Sequence, residues 1–426
     1  MNILVYPHDL GMGGSQINAI DLATALRDEG HDVAIFGPDG VLVDRLRQKG
    51  LEFIQAPSPR IRPTPAIIRA LRQLIRERSI DVVHGYEWPP ALEAFVACRG
   101  TQAVPVATVL SMGIAPFIPL RMPLMVGTEQ ILAGEQRAGR SRLALMEPPI
   151  DTKENAAGGA LLAPEQLDMW GIEPESVHIV VVSRLAREMK MEGILAAIEA
   201  VGVLGSSYPI QLIVVGDGDA AGDISRRADE INESLDRRAV VLTGELEDPR
   251  SMYDLADIAL GMGSSALRAM AFGKPLIVQG IQGYWEPLTE ETLPQFLWQG
   301  WYGAGAGVDK GTEVLVRHLR HLLDHPEELA PRGALGLTTL QHRFSLESAT
   351  RRQADFYEHA VADRPQISDW WSHPVDDFRS ILQWTCHEVS RRVQQQLGRG
   401  ADEDFNSHST LVRERNKSAM KVGESL

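Results

Sequence analysis

Two cations six residues apart, Arg184 and Lys190, follow the apolar run Ile179–Val182 in the stretch IVVVSRLAREMK. A β-branched run of this kind predicts a buried strand. The C-terminal end of such a strand is where open α/β sheets bind ligands. A diphosphate suits the pair, with a planar fork at Arg184 and a point charge at Lys190. The alternative is two solvated surface cations. A second candidate is the glycine cluster Gly11, Gly13 and Gly14, between a first strand and a first helix. Glycines there let backbone N–H groups approach an anion, or simply make a tight turn. Asp217-Gly218-Asp219 has the look of a metal motif, but a Gly-Asp turn after a strand needs no metal.

These residues need elements to hold them. Strand-like runs alternate with helix-like segments along most of the chain. In the first half the strands are Asn2–Tyr6, Asp32–Phe36, Asp81–His84, Val104–Leu110, Leu124–Gly127 and Leu143–Met146. Helices fall at Ser15–Glu29, Val41–Lys49, Pro65–Arg78 and Pro89–Cys98. The pattern restarts after Pro148-Pro149 and a polar connector, Asp151–Glu175. It then runs through Val177–Ser183, Gly193–Leu204, Ile210–Val215, Ala220–Leu235, Val240–Thr243, Pro249–Ala256, Ile258–Leu260, Ala266–Phe272 and Pro275–Val278. Later helices are expected at Thr312–Leu323 and Ser345–Ala362. This β-α alternation predicts parallel sheets with right-handed crossovers. The fold class is α/β, with two Rossmann-like doubly wound domains facing a cleft and a C-terminal helical extension. The domains are expected at 1–150 and 151–345, with C-terminal helices over 346–397. A polar tail follows over 398–426, expected to be disordered.

The bulk properties narrow the partners. The chain has 426 residues and a formal net charge of −15, which argues against nucleic acid or an anionic membrane surface. Cys98 and Cys386 are too few for a disulfide framework or a cysteine metal site. No apolar run approaches the roughly 20 residues that span a bilayer, and the N-terminus lacks a signal-peptide pattern. A cytoplasmic protein is expected. Its oligomeric state stays open, a homodimer included.

From Met1 to about Ala362 the chain resembles the retaining GT-B glycosyltransferases of the GT4 type. The pieces are GMGGSQINAIDLATALRDEGHDV, VVVSRLAREMK, LIVVGDGD, VVLTGEL and YDLADIALGMGSSALRAMAFGKPLIV, in that order. The resemblance implies transfer of a sugar from a diphosphate-activated donor, most simply a nucleotide sugar, to an acceptor hydroxyl. It implies no metal and no cofactor beyond the donor itself, and small-molecule partners only. Arg184 and Lys190 would stabilise the leaving diphosphate. Gly13, Gly14, Gly216, Gly218, Leu246, Gly261, Met262, Gly263, Ser264, Ser265 and Arg268 would border the donor. On the acceptor side the candidates are His8, His84, Tyr86, Glu87, Ser111 and Met112.

The chain also departs from the family. Two glutamates seven residues apart are usual; here Leu260 and Arg268 stand in their places. The strand that usually ends in a cleft histidine ends at Leu110. An altered donor, such as phosphoribosyl pyrophosphate or a sugar with an extra anion, is one explanation. Others are a ribose held by different groups and a non-catalytic binding relative. A sugar-nucleotide epimerase shares the fold but needs a carboxylate pair that the sequence does not reveal. Tyr284 and Trp285 could stack on a ligand or pack inside the protein. The resemblance implies that the helices over 346–397 cross back to the first domain; a dimer contact is the alternative. Trp370, Trp371 and Trp384 are expected to be buried, and Arg391-Arg392 to be solvated.

Overall fold

The computed structural model describes residues 1–11, 13–58, 62–159, 162–364 and 374–396. The chain divides into two compact units, Met1–Pro149 with the chain from Leu346 onward, and Ile150–Ser345.

The first unit opens with β1 (Asn2–Tyr6), α1 (Gly14–Asp28), β2 (Asp32–Gly37), α2 (Val43–Gln48), β3 (Glu52–Gln55) and α3 (Pro65–Glu77). It continues with β4 (Val82–Tyr86), α4 (Trp88–Cys98), β5 (Val104–Val109), β6 (Leu124–Val126), α5 (Glu129–Arg137) and β7 (Leu143–Leu145). The strands form one parallel sheet in the order β3-β2-β1-β4-β5-β6-β7. In register, Val5 faces His84 across β1 and β4. The helices read from the sequence because their apolar residues recur at helical spacing: Ile67, Leu71 and Ile75 of α3 are all buried. Strand β3 and helix α5 are not evident in the sequence, since EFIQ is short and half polar. Helix α5 starts at Thr128, whose hydroxyl accepts from Ile131 N at 3.2 Å.

The second unit begins with the connector and α6 (Pro164–Trp170). It goes on through β8 (Val177–Val182), α7 (Met191–Leu204), β9 (Ile210–Val215), α8 (Ala221–Leu235), β10 (Val240–Gly244) and α9 (Arg250–Leu255). Then come β11 (Ile258–Gly261), α10 (Ser264–Ala271), β12 (Leu276–Gln279), β13 (Trp285–Pro287), α11 (Leu293–Gln299), α12 (Gly311–Asp324) and α13 (Leu329–Arg343). The sheet order is β10-β9-β8-β11-β12-β13, parallel except for β13 against β12. The β13 strand lies within the segment that reads as a loop in the sequence. Trp285 in it is 3% exposed and belongs to the core beneath α7 and α12, so it is no stacking platform.

Helices α14 (Leu346–Ala362) and α15 (Pro374–Gln396) belong to the first unit. Tyr357 and Ala360 of α14 join the core of β1, β2 and β4, and Trp384 of α15 is fully buried in the core under α3 and α4. Arg391 is half-buried and pairs with buried Glu388, which departs from a fully solvated face. Trp370, Trp371 and the 398–426 segment lie outside the described residues. Among the described residues no helix is long and apolar enough to cross a membrane.

Both sheets contain a switch point. Successive strands move outward from β1 to β3, and the chain then returns to place β4 on the other side of β1. The second unit repeats this at β8 and β11. Crevices at such points, outside the carboxyl ends of the strands, are where open α/β sheets bind ligands.

Candidate functional site

In the second unit the two loops at the switch point follow β8 and β11. The β8 loop carries Arg184 and ends at Lys190, which caps the N-terminus of α7. Its path is set by backbone bonds: Leu185 N donates to Asp217 O at 2.9 Å and Met191 N to Ala186 O at 3.0 Å. Arg184 is exposed and Lys190 half-buried. Neither side chain makes a hydrogen bond or ion pair among the described residues. Burial, with the Arg184 charge adding to it, pulls the Lys190 ammonium down to about 8. Lys190 also faces the positive end of the helix dipole. A half-buried lysine beside an arginine and a helix N-terminus has the charge and the donors to hold an anion.

Gly216 and Gly218 support this loop from behind. Gly216 has φ +138°, and a Cβ there would lie 2.0 Å from Ser183 O. One on Gly218 would lie 2.4 Å from Leu185 O. These glycines let the β9–α8 turn press against the arginine loop. Asp217 accepts from Gly218 N at 2.7 Å, and Asp219 from Arg187 N at 3.2 Å. Both acids are therefore occupied in the turn. Among the described residues no cluster of three His, Cys, Asp or Glu has metal-binding geometry.

The β11 loop is Gly261-Met262-Gly263. A Cβ on Gly261 would lie 2.8 Å from Ala266 Cα, so glycine lets α10 close onto the strand. Gly263 adopts φ +62°. Ser265 locks the turn, its hydroxyl accepting from Met262 N at 3.1 Å and donating to Met262 O at 3.2 Å. Met262 is buried and Ser264 half-exposed. Leu260 is 2% exposed and packs in the sheet core. Leu246 packs partly against the core beside α6 and α9. Arg268, half-buried on α10, lies near Tyr253 and Asp248.

The first unit gathers a polar cluster at its own switch point. His8 and Asp9 follow β1, and Glu87 follows β4 with φ +66°. The His8 Nε2 and Asp9 Oδ2 are in contact as an ion pair. Asp9 Oδ1 accepts from Gly11 N at 2.7 Å and Gln16 Nε2 at 2.9 Å. Glu87 accepts from Leu110 N at 3.1 Å, Ser15 Oγ at 3.3 Å and Ser111 Oγ. The hydrogen bond from His8 holds Asp9 at about 2. Burial lowers the His8 pKa, but the bond to Asp9 and its charge outweigh that and leave it raised. Burial raises Glu87 against its hydrogen bonds. Two carboxylates in one cluster are pushed in opposite directions, a pattern that separates acid from base roles.

Gln16 and Ser15 were not singled out in the sequence, because first-turn helix residues carry no distinguishing pattern. Their signal is the glycine: a Cβ on Gly13 would lie 2.3 Å from Gln16 Oε1. Gly13 itself is extended, at φ −163°. It makes room for Gln16, and Gly14 is the first residue of α1. Met112 is half-buried beside Ser111.

His84 and Tyr86 are corrected as acceptor-side candidates. Both are core residues, at 0% and 1% exposure. His84 Nδ1 meets Tyr357 Oη of α14, and Nε2 meets Thr108 Oγ1 at 2.8 Å. Tyr86 reaches Gln353 at 3.5 Å. Burial drops His84 to about 3, so it stays neutral. This network fastens α14 to the sheet.

Two family models match the chain. Glycosyltransferase Family 4 covers residues 12–110, and Glycosyl transferases group 1 covers residues 176–298. Among curated proteins none matches the chain by sequence. Among solved structures, a glycosyltransferase from Rickettsia africae is 16% identical at TM-score 0.67, covering 85% of this chain and 99% of that one. Anabaena Alr3699/HepE in complex with UDP is 14% identical at TM-score 0.63, covering 84% and 100%. Sucrose-phosphate synthase from Thermosynechococcus elongatus is 16% identical at TM-score 0.64, covering 85% and 100%. At these identities the structural likeness speaks for the fold.

Proposed function

The chain belongs to the GT4-like, group 1 glycosyltransferases, and from that premise we propose that it moves a sugar from a nucleotide-diphosphate donor to an acceptor hydroxyl, with retention and without a metal. The observation that carries this reading is the unanswered positive charge at Arg184 and Lys190, on the switch-point loop of the second unit. Solved structures of the same fold are described as complexes with UDP and with UDP-glucose, which supports a nucleoside diphosphate as the anion.

The chemistry needs little else from the protein. The bond from the anomeric carbon to the diphosphate oxygen breaks, and its electron pair leaves with the diphosphate. Arg184 and Lys190 stabilise that charge, a preorganised interaction whose loss costs on the order of 100-fold or more in rate. The acceptor oxygen bonds to the same carbon from the leaving-group face, and the departing phosphate takes its proton. A cytoplasmic setting goes with a soluble donor of this kind.

Incubation with radiolabelled UDP-, GDP- and ADP-sugars, with water and small polyols as acceptors, tests the reading. Label is expected to leave one donor class with release of its nucleoside diphosphate, and Arg184→Ala is expected to lower that turnover about 100-fold or more. Epimerised donor, or turnover unchanged in Arg184→Ala, would contradict it.

A further inference from the structure

The second unit holds one more cation whose charge its neighbours do not neutralise. Arg268 is the fifth residue of α10. Helical side chains lean toward the N-terminus, so its guanidinium runs along the first turn of α10, toward the carboxyl edge of the sheet. Helix α10 packs on β11 and β12, and α9 on β8. Arg268, near Tyr253 of α9 and Asp248, therefore lies where two helices meet over the two switch-point strands.

Its surroundings are short of negative charge. Asp248 is close enough to feel it, but that carboxylate is spent on Arg250, with contacts of 2.8, 2.9 and 2.5 Å. Tyr253 lies on the other side, 3% exposed. Burial raises its phenol to about 12, with Arg268 pulling the other way, so it is neutral. The Tyr253 hydroxyl has no well-formed hydrogen-bond partner. A half-buried guanidinium and a buried hydroxyl within its reach thus share one spot, with most of the guanidinium's donors unused. A guanidinium has five donors and no acceptor, and its planar fork matches a carboxylate or a phosphate. A neutral diol would use little of this.

We propose that Arg268, with Tyr253, binds a second anionic group on the donor, a phosphate or carboxylate outside the diphosphate. This rests on the diphosphate grip of Arg184 and Lys190. It makes Arg268 the residue that separates charged donors from neutral ones.

Calorimetric titration of the full chain tests this with two matched pairs. UDP-glucuronate against UDP-glucose tests a carboxylate; phosphoribosyl pyrophosphate against inorganic pyrophosphate tests a phosphate. One charged member is expected to bind about tenfold or more tighter than its partner compound. Arg268→Gln should erase that preference and Arg268→Glu reverse it, with thermal melts confirming that both variants fold. The inference is overturned if pyrophosphate binds but neither charged compound is preferred, or if a preference survives in Arg268→Gln. Absence of pyrophosphate binding in the unmodified chain would instead sink the diphosphate grip, and this proposal with it.

Discussion

Replacing Lys190 with methionine should strengthen the empty protein and weaken its hold on a diphosphate. The methionine keeps the apolar stem and removes the charge. In the empty protein that charge is a burden: the pKa falls from 10.5 to about 8, which corresponds to roughly 3 kcal/mol at about 1.4 kcal/mol per factor of ten. The sign follows from linkage. Below pH 8 the lysine is charged in both folded and unfolded chains, and the folded state bears the whole cost. Between pH 8 and about 10.5 the folded chain gives up the proton first, and the cost fades. At pH 7 Lys190→Met should therefore raise the unfolding free energy, by about 1–3 kcal/mol after relaxation. Binding moves the opposite way, because truncating one side of a desolvated charge pair costs about 2–5 kcal/mol. Urea denaturation and calorimetry with inorganic pyrophosphate, which presumes no base, read the two effects. A variant that is less stable yet binds pyrophosphate as before would refute the reasoning, since the lysine would then be structural.

Four more outcomes follow from the geometry. Asp9→Asn should lower the His8 pKa, because burial then acts without the carboxylate that outweighs it; an unmoved imidazole titration by NMR would show that Asp9 does not hold His8. Tyr357→Phe should cost about 1–2 kcal/mol by removing the hydroxyl that His84 Nδ1 and Gln353 Nε2 share, leaving buried His84 Nδ1 only the 3.5 Å contact with Gln353, read as a lower melting temperature with pyrophosphate affinity intact. In the unmodified protein, the His84 pKa of about 3 means that stability should decline as pH falls from about 6.5 toward 3, since the unfolded chain takes up the proton first. Gly216→Ala should destabilise by about 2–4 kcal/mol, because a Cβ would lie 2.0 Å from Ser183 O at φ +138°; pyrophosphate affinity should fall as well, as the arginine loop is displaced.

Much of the fold is legible in the sequence because its main signals are periodic. Runs such as VHIVVV are apolar enough to be strands buried on both faces, and α3 shows its core stripe plainly. What stays hidden is short or local. Strand β3 is four half-polar residues, and β13 is three residues inside a glycine-rich segment. Arg184 and Lys190 stand out because cations just past a strand end are conspicuous. His84 misleads for the same reason: a polar residue near a strand end looks like a site. Its partners, Tyr357 and Gln353, lie some 270 residues away in a helix whose docking no local pattern reveals. Likewise the close packing of Gly216 and Gly218 on Ser183 and Leu185 is invisible until the backbone they press against is known. Gln16 escapes notice because its role depends on the bare Cα of Gly13.

The proposed chemistry stands or falls with a diphosphate held by Arg184 and Lys190 at the β8 switch point. The most direct measurement is a crystal structure of the full chain with UDP. Phosphate oxygens are expected within hydrogen-bond distance of the Arg184 guanidinium and Lys190 Nζ, at the N-terminus of α7. Diphosphate bound elsewhere, with both side chains turned to solvent, would contradict it.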